Sequence, residues 1–267
     1  MKIMNDVVKN DVSLAYTETA TALSIRIRAH KEYSNFSLED WLAAYTALRE
    51  GSALLDLGCG SGNIFPLYSD RLGPSGLVVG IDQNEELLEK ARTVKMAPAL
   101  VLLRMDLNQP LPFLRGSFDH AISTFAIYYV DDPSLILGEV RRVLKESGEM
   151  VLVGPAAGNA GELYTLNEAV FGYGRDEKVT ARTTRLEKEF HPLVASLFDD
   201  VRLEKIPSRL VFPNKRELVK YYMSTLLFEE SVKKTGFSPT EEDLMAMEFG
   251  GREISKEMVV LRGKKSG

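Results

Sequence analysis

Between residues 52 and 155, short apolar runs alternate with segments of helical periodicity. Segments such as 84–94 and 133–144 repeat apolar residues at helical spacing. Apolar strands separated by helices predict a parallel sheet that is covered by helices on both faces. Ligands of such a sheet bind at the carboxyl ends of the strands, near the point where the strand order reverses. The predicted strands of this region are residues 53–57, 77–82, 101–105, 118–124 and 149–153.

The regions on either side of this core are predicted to be mainly helical. Residues 12–30 and 37–48 have amphipathic patterns, and we expect residues 1–50 to form a helical lid. Residues 51–155 are the predicted ligand-binding core. Residues 156–267 are predicted to add a helical insertion beside the substrate and the final strands of the same sheet, so that the chain is one domain. The elements predicted for the last third are strands at 201–206, 209–212 and 258–262 and helices at 215–228 and 240–249.

Charge and cysteine content exclude several classes of protein. The 33 Lys and Arg residues against 38 Asp and Glu residues give a formal charge of −5, which argues against a protein held mainly by nucleic-acid phosphates. The longest run without a charged residue, 57–69, is shorter than the roughly 20 residues that a membrane-spanning helix needs. Cys59 is the single cysteine, so a disulfide framework is impossible within one chain. With no signal peptide visible, we expect a cytoplasmic protein.

A glycine-rich loop follows the first predicted strand, in the sequence LLDLGCGSG at residues 54–62. Its three glycines let a ligand approach the backbone without meeting a Cβ atom, and we expect backbone N–H groups to be exposed near the start of the next helix. Asp82 ends the next strand, twenty residues beyond Gly62. A carboxylate at that place can accept both hydroxyls of a ribose. The loop and the acid together predict a nucleoside-binding site.

Two positions of the loop indicate which nucleoside binds. A dinucleotide loop reads G-x-G-x-x-G and would need glycine at position 63, where this chain has Asn63. Asp56, near the end of the first strand, would favour a cationic amine as its partner. An amine, a carboxylate and a ribose describe S-adenosylmethionine better than NAD, and a nicotinamide oxidoreductase is the weaker alternative.

Several motifs then occur in order along the core. The chain resembles the class I (Rossmann-like) S-adenosylmethionine-dependent methyltransferases over residues 54–153, in particular the small-molecule branch of the ubiquinone and menaquinone C-methyltransferase type. This resemblance implies an α/β fold with a doubly wound, seven-stranded, mostly parallel sheet, helices on both faces, an N-terminal helical lid and helical insertions in the C-terminal third. The motifs are LDLGCGSG at 55–62, VGID at 79–82, MDL at 105–107, LPF at 111–113, SFD at 117–119 and EVRRVLK at 139–145.

The resemblance implies S-adenosylmethionine as the cofactor and S-adenosylhomocysteine as its product. Gly58, Cys59 and Gly60 would line the methionine part, with Asp56 near its amino group. Thr124, at the end of the fourth strand, would lie near the methionine part and the transferable methyl group.

The same resemblance assigns the residues that surround the adenosine. Asp82 would hold the ribose hydroxyls, and Gln83 would flank the adenine. Asp106 would accept a hydrogen bond from the adenine amine, with the backbone of Leu107 beside it.

The acceptor side carries weaker signals. Four tyrosines are candidates for lining the acceptor: Tyr16 and Tyr33 in the N-terminal helices, and Tyr128 and Tyr129 after the fourth strand. His191 and Tyr129 are candidates for a general base. No catalytic residue is assigned, because methyl transfer proceeds largely by holding the nucleophile, the methyl carbon and the sulfur in line. No metal site is predicted.

The leading hypothesis is methyl transfer to oxygen, nitrogen or carbon of a small organic acceptor. The alternatives are a methyltransferase for RNA or protein, and a catalytically inactive S-adenosylmethionine-binding regulator. The predicted insertion at 158–197 has more acidic than basic residues, which disfavours RNA. We therefore expect neither a nucleic-acid partner nor a membrane, and the sequence predicts no oligomeric state.

Overall fold

The computed structural model describes residues 19–248 and 250–266. Its strands are β1 (Ala53–Leu57), β2 (Leu77–Asp82), β3 (Ala99–Arg104), β4 (Phe118–Thr124), β5 (Leu144–Pro155), β6 (Asp199–Ile206), β7 (Arg209–Val211), β8 (Glu253–Ser255) and β9 (Met258–Lys264). Its α-helices are α1 (Ala20–Tyr33), α2 (Leu38–Tyr45), α3 (Phe65–Leu72), α4 (Glu85–Arg92), α5 (Pro133–Val143), α6 (Gly161–Phe171), α7 (Glu177–Arg185), α8 (His191–Leu197), α9 (Lys215–Met223), α10 (Leu226–Thr235) and α11 (Glu241–Ala246). A 3₁₀ turn (Ile127–Tyr129) follows β4, and a π-helical turn (Leu186–Phe190) joins α7 to α8.

Seven of the described strands form one sheet in the order β3-β2-β1-β4-β5-β9-β6. Strands β1 to β5 pair in parallel, and β9 is antiparallel to both of its neighbours, β5 and β6. The structure thus confirms the predicted seven-stranded, mostly parallel sheet. The strand predicted at 209–212 is β7, which pairs with β8 in a separate two-stranded ladder.

Helices cover both faces of the sheet because its strands are apolar on both sides. One buried apolar cluster lies between the sheet and helices α5 and α8, and it includes Ile136 and Val194. A second lies on the side of α2, α3 and α4, and it includes Leu42 and Tyr68. A third joins α1 to α6, α9, α10 and α11. None of the helices within 19–248 and 250–266 is both long enough and apolar enough to cross a bilayer.

The prediction of a single helix over 215–228 is wrong in one respect, because the helix is interrupted after Met223. Ser224 ends α9, and Thr225 caps α10 by accepting the Phe228 N–H at 3.3 Å. The carbonyl oxygen of Ser224 instead accepts a hydrogen bond from Arg26 of α1 at 2.7 Å. A side chain 198 residues away therefore bonds the residue at which the helix breaks.

Candidate functional site

The strand order reverses at β1. This strand lies between β2 and β4, and the chain builds β2 and β3 on one side before it returns to build β4 and β5 on the other. The carboxyl ends of β1, β2 and β4 therefore meet at one edge, where a doubly wound sheet binds its ligand. All of the cofactor residues predicted from the sequence belong to these strand ends, to the end of β3 or to the loops that follow them.

The loop after β1 is shaped by glycines in the left-handed region. Gly58 has φ +79° and Gly60 has φ +55°. A Cβ atom on Gly58 would lie 2.1 Å from the Cβ of Ala126. The loop and the segment after β4 are therefore so close that position 58 has no room for a side chain. Among the residues that the structure describes, a Cβ on Gly60 would meet only the Leu23 Cδ2 atom, at 4.0 Å. With respect to these residues, the space above Gly60 is open and is bordered by α1.

The loop does not present its N–H groups as the sequence analysis expects. Gly58 and Cys59 both donate to the carbonyl of Ile81, at 2.8 and 2.9 Å, and Gly62 donates to the carbonyl of Cys59 at 3.0 Å. Gly60 donates to the Asp82 Oδ2 atom at 2.9 Å. These four donors are already satisfied within the protein, because the loop folds back over the end of β2. The glycines of the loop therefore contribute by keeping side chains away from its backbone, and not by offering free N–H groups.

Asp82 is placed where the sequence predicts, at the end of β2 facing the loop. Its carboxylate is buried and accepts from Gly60 through Oδ2 and from the Asn84 N–H through Oδ1, both at 2.9 Å. Burial raises the pKa of Asp82, although these backbone hydrogen bonds act in the opposite direction. One side chain therefore fixes both the loop and the start of α4.

Asp56 is more deeply buried than Asp82. Its Oδ1 atom and the hydroxyl of Tyr68 are both shielded from solvent, and Tyr68 is the hydrogen-bonding neighbour of this carboxylate. Burial raises the pKa of Asp56 to about 7. A buried carboxylate is costly unless a cation or enough donors reach it, and Tyr68 is the donor found beside Asp56. This geometry fits a group that is bound as a cation.

The other predicted cofactor residues lie around the same edge. Cys59 is buried with its Sγ atom directed at the bare backbone of Gly80, and burial raises the pKa of this thiol. Thr124 is half-buried at the end of β4. Gln83 is exposed and Leu107 is half-buried. The Oδ1 atom of Asp106, an exposed residue, accepts the backbone and side-chain N–H groups of Asn108 at 2.9 and 3.0 Å.

The end of β4 and the segment that follows it contain two features that the sequence analysis missed. The buried Ser123 hydroxyl donates to the Leu57 carbonyl at 2.7 Å and accepts the Ile127 N–H at 3.2 Å, which ties the end of β1 to the 3₁₀ turn. Phe125 has φ +56°, a conformation that costs a non-glycine residue about 1–3 kcal/mol and that concentrates at functional sites. No local sequence signal marks either residue, because both depend on contacts with a neighbouring strand.

The predicted acceptor residues Tyr128 and Tyr129 lie in that turn, with their ring centroids 4.6 Å apart. Tyr128 is buried against Gly154 of β5, where a Cβ would lie 2.9 Å from the tyrosine ring. Tyr129 is half-buried, and the Arg182 guanidinium lies 5.9 Å from its ring centroid. Arg185 fixes the turn by donating to the carbonyls of Tyr128 and Val130, at 2.8 and 2.5 Å.

Of the remaining acceptor and base candidates, Tyr33 and His191 contact other parts of the fold. Tyr33 packs on Phe212, with ring centroids 5.3 Å apart, and its hydroxyl donates to the Glu217 Oε2 atom at 3.3 Å. His191 is the first residue of α8, which packs against α5, β6, β9 and the π turn on one face of the sheet. Tyr16 lies outside the described residues.

Comparisons with known proteins find similarity to methyltransferases. Residues 55–152 match the model of the methyltransferase domain family, and residues 2–100 match that of protein-L-isoaspartate(D-aspartate) O-methyltransferase. A demethylmenaquinone methyltransferase of Lactococcus lactis is 34% identical over 125 residues, 45% of this chain and 50% of that protein. A phosphatidylethanolamine N-methyltransferase of Cereibacter sphaeroides is 32% identical over 124 residues, 45% of this chain and 59% of that protein.

The chain spans about half the length of these two curated relatives. Among solved structures, the YcgJ protein of Bacillus subtilis aligns with a TM-score of 0.54 at 19% identity, over 86% of this chain and 98% of that one, which shows a shared fold. Over residues 55–152 the chain thus matches the methyltransferase domain family, and in this region its sequence is similar to that of the quinone methyltransferases.

Proposed function

We propose that this protein transfers the methyl group of S-adenosylmethionine to a small organic acceptor. The observation that carries the proposal is the pairing, at the reversal point of the sheet, of an open glycine backbone with the buried carboxylates of Asp56 and Asp82. The carboxylate of Asp56, buried beside the Tyr68 hydroxyl, fits the amino group of the methionine part. The space above Gly60 fits a ligand that lies against the loop.

Each predicted cofactor residue has a role in this proposal. Asp56 pairs with the amino group, Asp82 accepts the ribose hydroxyls, and Asp106 accepts from the adenine amine. When it is bound, S-adenosylmethionine supplies an activated methyl group on a sulfonium centre. The remaining cofactor residues line the ligand: Gly58, Cys59 and Gly60 beside the methionine part, Thr124 beside the methyl group, and Gln83 and Leu107 beside the adenine.

The chain's own contribution is to position the reactants and to keep water out. Helix α1 passes over the glycine loop at Leu23 and is bonded to Ser224 through Arg26, which supports the predicted lid. Tyr128 and Tyr129, just beyond Thr124, support an acceptor of modest size held against aromatic rings. Holding the nucleophile in line accounts for most of the rate, and Tyr129 is better placed than His191 to add general-base catalysis.

The single free cysteine, Cys59, is buried in the cofactor loop, and this supports a reducing compartment such as the cytoplasm. The resemblance to relatives that methylate different acceptors supports the activity without choosing between oxygen, nitrogen and carbon.

Titration calorimetry with S-adenosylmethionine, S-adenosylhomocysteine and NAD tests the proposal. We expect both sulfur nucleosides to bind and NAD not to bind. Binding of NAD with no heat from either sulfur nucleoside would overturn the proposal in favour of an oxidoreductase. If both nucleosides bind, transfer of tritium from methyl-labelled S-adenosylmethionine to a cell metabolite extract, compared between wild type and Asp82→Ala, separates an enzyme from an inactive regulator.

Cofactor affinity should increase with pH between about 5.5 and 7.5. Burial raises the pKa of Asp56 to about 7, so the free protein holds a proton there, whereas pairing with a cationic amine needs the ionised carboxylate. Binding then releases a proton, and linkage gives an increase of up to about tenfold per pH unit below the pKa. Calorimetry with S-adenosylhomocysteine at several pH values measures this.

The variant Asp56→Asn is the control for this prediction. It keeps the shape of the side chain and removes the titration, so its weaker affinity should lose this part of the pH dependence. An identical pH profile in wild type and variant would show that Asp56 does not face the amino group.

A further inference from the structure

We propose that Asn108 is a positioning residue that links the adenine side of the site to the turn on its acceptor side. The inference rests on the proposed function, in which Asp106 accepts from the adenine amine and the 3₁₀ turn of residues 127–129 borders the acceptor. Asn108 is a half-buried residue in the loop that follows β3. Its side chain contacts both segments, so that one residue holds the nucleoside side and the acceptor side together.

The first contact of the Asn108 side chain is with the predicted adenine-binding residue. The Nδ2 group of Asn108 donates to the Asp106 Oδ1 atom at 3.0 Å, and the main-chain N–H of Asn108 donates to the same oxygen at 2.9 Å. Asp106 is exposed, and an exposed side chain without such bonds samples several rotamers. The two donors therefore orient the carboxylate through Oδ1, and Oδ2 is the oxygen that we assign to the adenine amine.

The second contact is with the segment that leaves the acceptor turn. The Asn108 Oδ1 atom accepts the main-chain N–H of Asp131 at 2.7 Å. The carbonyl of Asp131 accepts from the Arg185 Nη2 atom at 3.4 Å, and Arg185 also donates to the carbonyls of Tyr128 and Val130. The main chain at Asp131 is thus held by the loop after β3 on one side and by α7 on the other.

Both of the segments that Asn108 joins are also anchored to α5. On the side of the loop, Glu139 and Arg142 bond the main chain of segment 111–113 at 2.7 to 2.8 Å. On the side of the turn, the Asp132 side chain caps α5 by accepting from its first N–H groups. Since α5 already holds both segments, loss of the Asn108 side chain should loosen the junction between them without unfolding either one.

An asparagine suits this place because its amide is a donor and an acceptor at once. An ionised carboxylate only accepts and a peptide N–H only donates, so Asp106 and Asp131 together fix the orientation of the amide. An adenine amine bound to Asp106 would restrain the carboxylate further, and the carboxylate would then restrain Asn108. We therefore expect nucleoside binding to make the bond between Asn108 and Asp131 open less often.

Hydrogen exchange of single amides, followed by NMR, tests the proposal. The Asp131 amide reports its bond to Asn108, and the Leu111 amide, which donates to Glu139, reports whether the loop stays folded. Saturation with S-adenosylhomocysteine should slow exchange of the Asp131 amide at least about threefold in wild type. Asn108→Ala should speed that exchange at least about tenfold in the free protein, remove the slowing by the nucleoside, and leave the Leu111 amide unchanged.

The variant Asn108→Asp separates the two contacts. It keeps an oxygen that can accept the Asp131 N–H, but it loses the donor to Asp106 and places a like charge beside that carboxylate. In the free protein its Asp131 amide should exchange as in wild type, whereas affinity for S-adenosylhomocysteine should fall at least about threefold. Gln109→Ala is the matched control, since Gln109 is the exposed neighbour and bonds Asp106 through its main-chain N–H. It should leave exchange and affinity unchanged.

Two results would overturn the inference. One is equal exchange of the Asp131 amide in wild type and Asn108→Ala, and the other is slowing by the nucleoside of the same size in both proteins. A residue that only stabilised the loop would change exchange in the free protein and leave its dependence on the nucleoside intact. If Asn108→Ala also exposes the Leu111 amide, Asn108→Asp decides, because wild-type nucleoside affinity in that variant would overturn the inference.

Failure of this inference can be told apart from failure of the proposed function. Calorimetry of wild type with S-adenosylhomocysteine provides the second readout. A protein that binds the nucleoside but gives either of the two contrary results loses the positioning role of Asn108 alone. A protein that does not bind the nucleoside refutes the proposed function, and this inference with it.

Discussion

Gly58→Ala should abolish measurable binding of S-adenosylhomocysteine and destabilise the protein. The substitution places a Cβ atom 2.1 Å from that of Ala126, at a residue with φ +79°. Both the overlap and the left-handed conformation cost energy, and we expect the free energy of unfolding to fall by roughly 2–4 kcal/mol. Because relief of the overlap must move the cofactor loop or the segment after β4, affinity should fall by more than about a hundredfold. Urea unfolding and calorimetry measure the two effects.

Gly172→Ala is the matched control for this prediction. Gly172 ends α6 with φ +78°, nearly the same backbone conformation, but a Cβ there would meet no atom of residues 19–248 or 250–266 within 4 Å. It should cost only about 1 kcal/mol in stability and leave nucleoside affinity unchanged. If the two variants behave alike, the close approach of Ala126 has no part in forming the site.

Asp82→Ala should weaken binding of S-adenosylhomocysteine by a few kcal/mol, roughly 30-fold to 1,000-fold. The substitution removes the proposed acceptor for the ribose and leaves the N–H groups of Gly60 and Asn84 without the carboxylate that now accepts them. Asp82→Asn retains one acceptor oxygen, so its affinity for S-adenosylhomocysteine should lie between those of Asp82→Ala and wild type. Calorimetry measures all three proteins.

Asp70→Ala provides the comparison, since Asp70 is an exposed acid on α3. It should bind the nucleoside as wild type does. Unchanged affinity in Asp82→Ala would mean that the end of β2 does not hold the ribose, and the proposed orientation of the cofactor would be wrong.

The central sheet could be predicted because its information is local. Strands β1 and β2 are buried on both faces, so apolar residues fill nearly all of each strand. Asp82 follows such a run directly, and the parallel arrangement then brings it to the same edge as the glycine loop. What the sequence could not predict was how the loop uses its N–H groups, because the carbonyl of Ile81 and the carboxylate of Asp82 reach it only after β2 has paired with β1.

The acceptor side was harder to predict because its contacts join distant segments. No motif marks Arg26, Arg182 or Arg185. Each of them contacts a carbonyl or an aromatic ring of a residue that is distant in the sequence. The break between α9 and α10 was missed for the same reason. Apolar residues continue at helical spacing through this segment, and the break is stabilised by the Thr225 cap and by the bond from α1 to the Ser224 carbonyl.

The bond between α1 and Ser224 has a consequence for the order of events during synthesis. A ribosome makes α1 early, but Ser224 emerges about two hundred residues later, and β7, which α1 also contacts, emerges only shortly before it. Strands β1 to β5 can pair before then, since N-terminal parts of a nascent chain fold first. The nascent protein would therefore complete its glycine loop while α1 still lacks its distant anchor, so the covering of the nucleotide edge would be among the last steps of maturation.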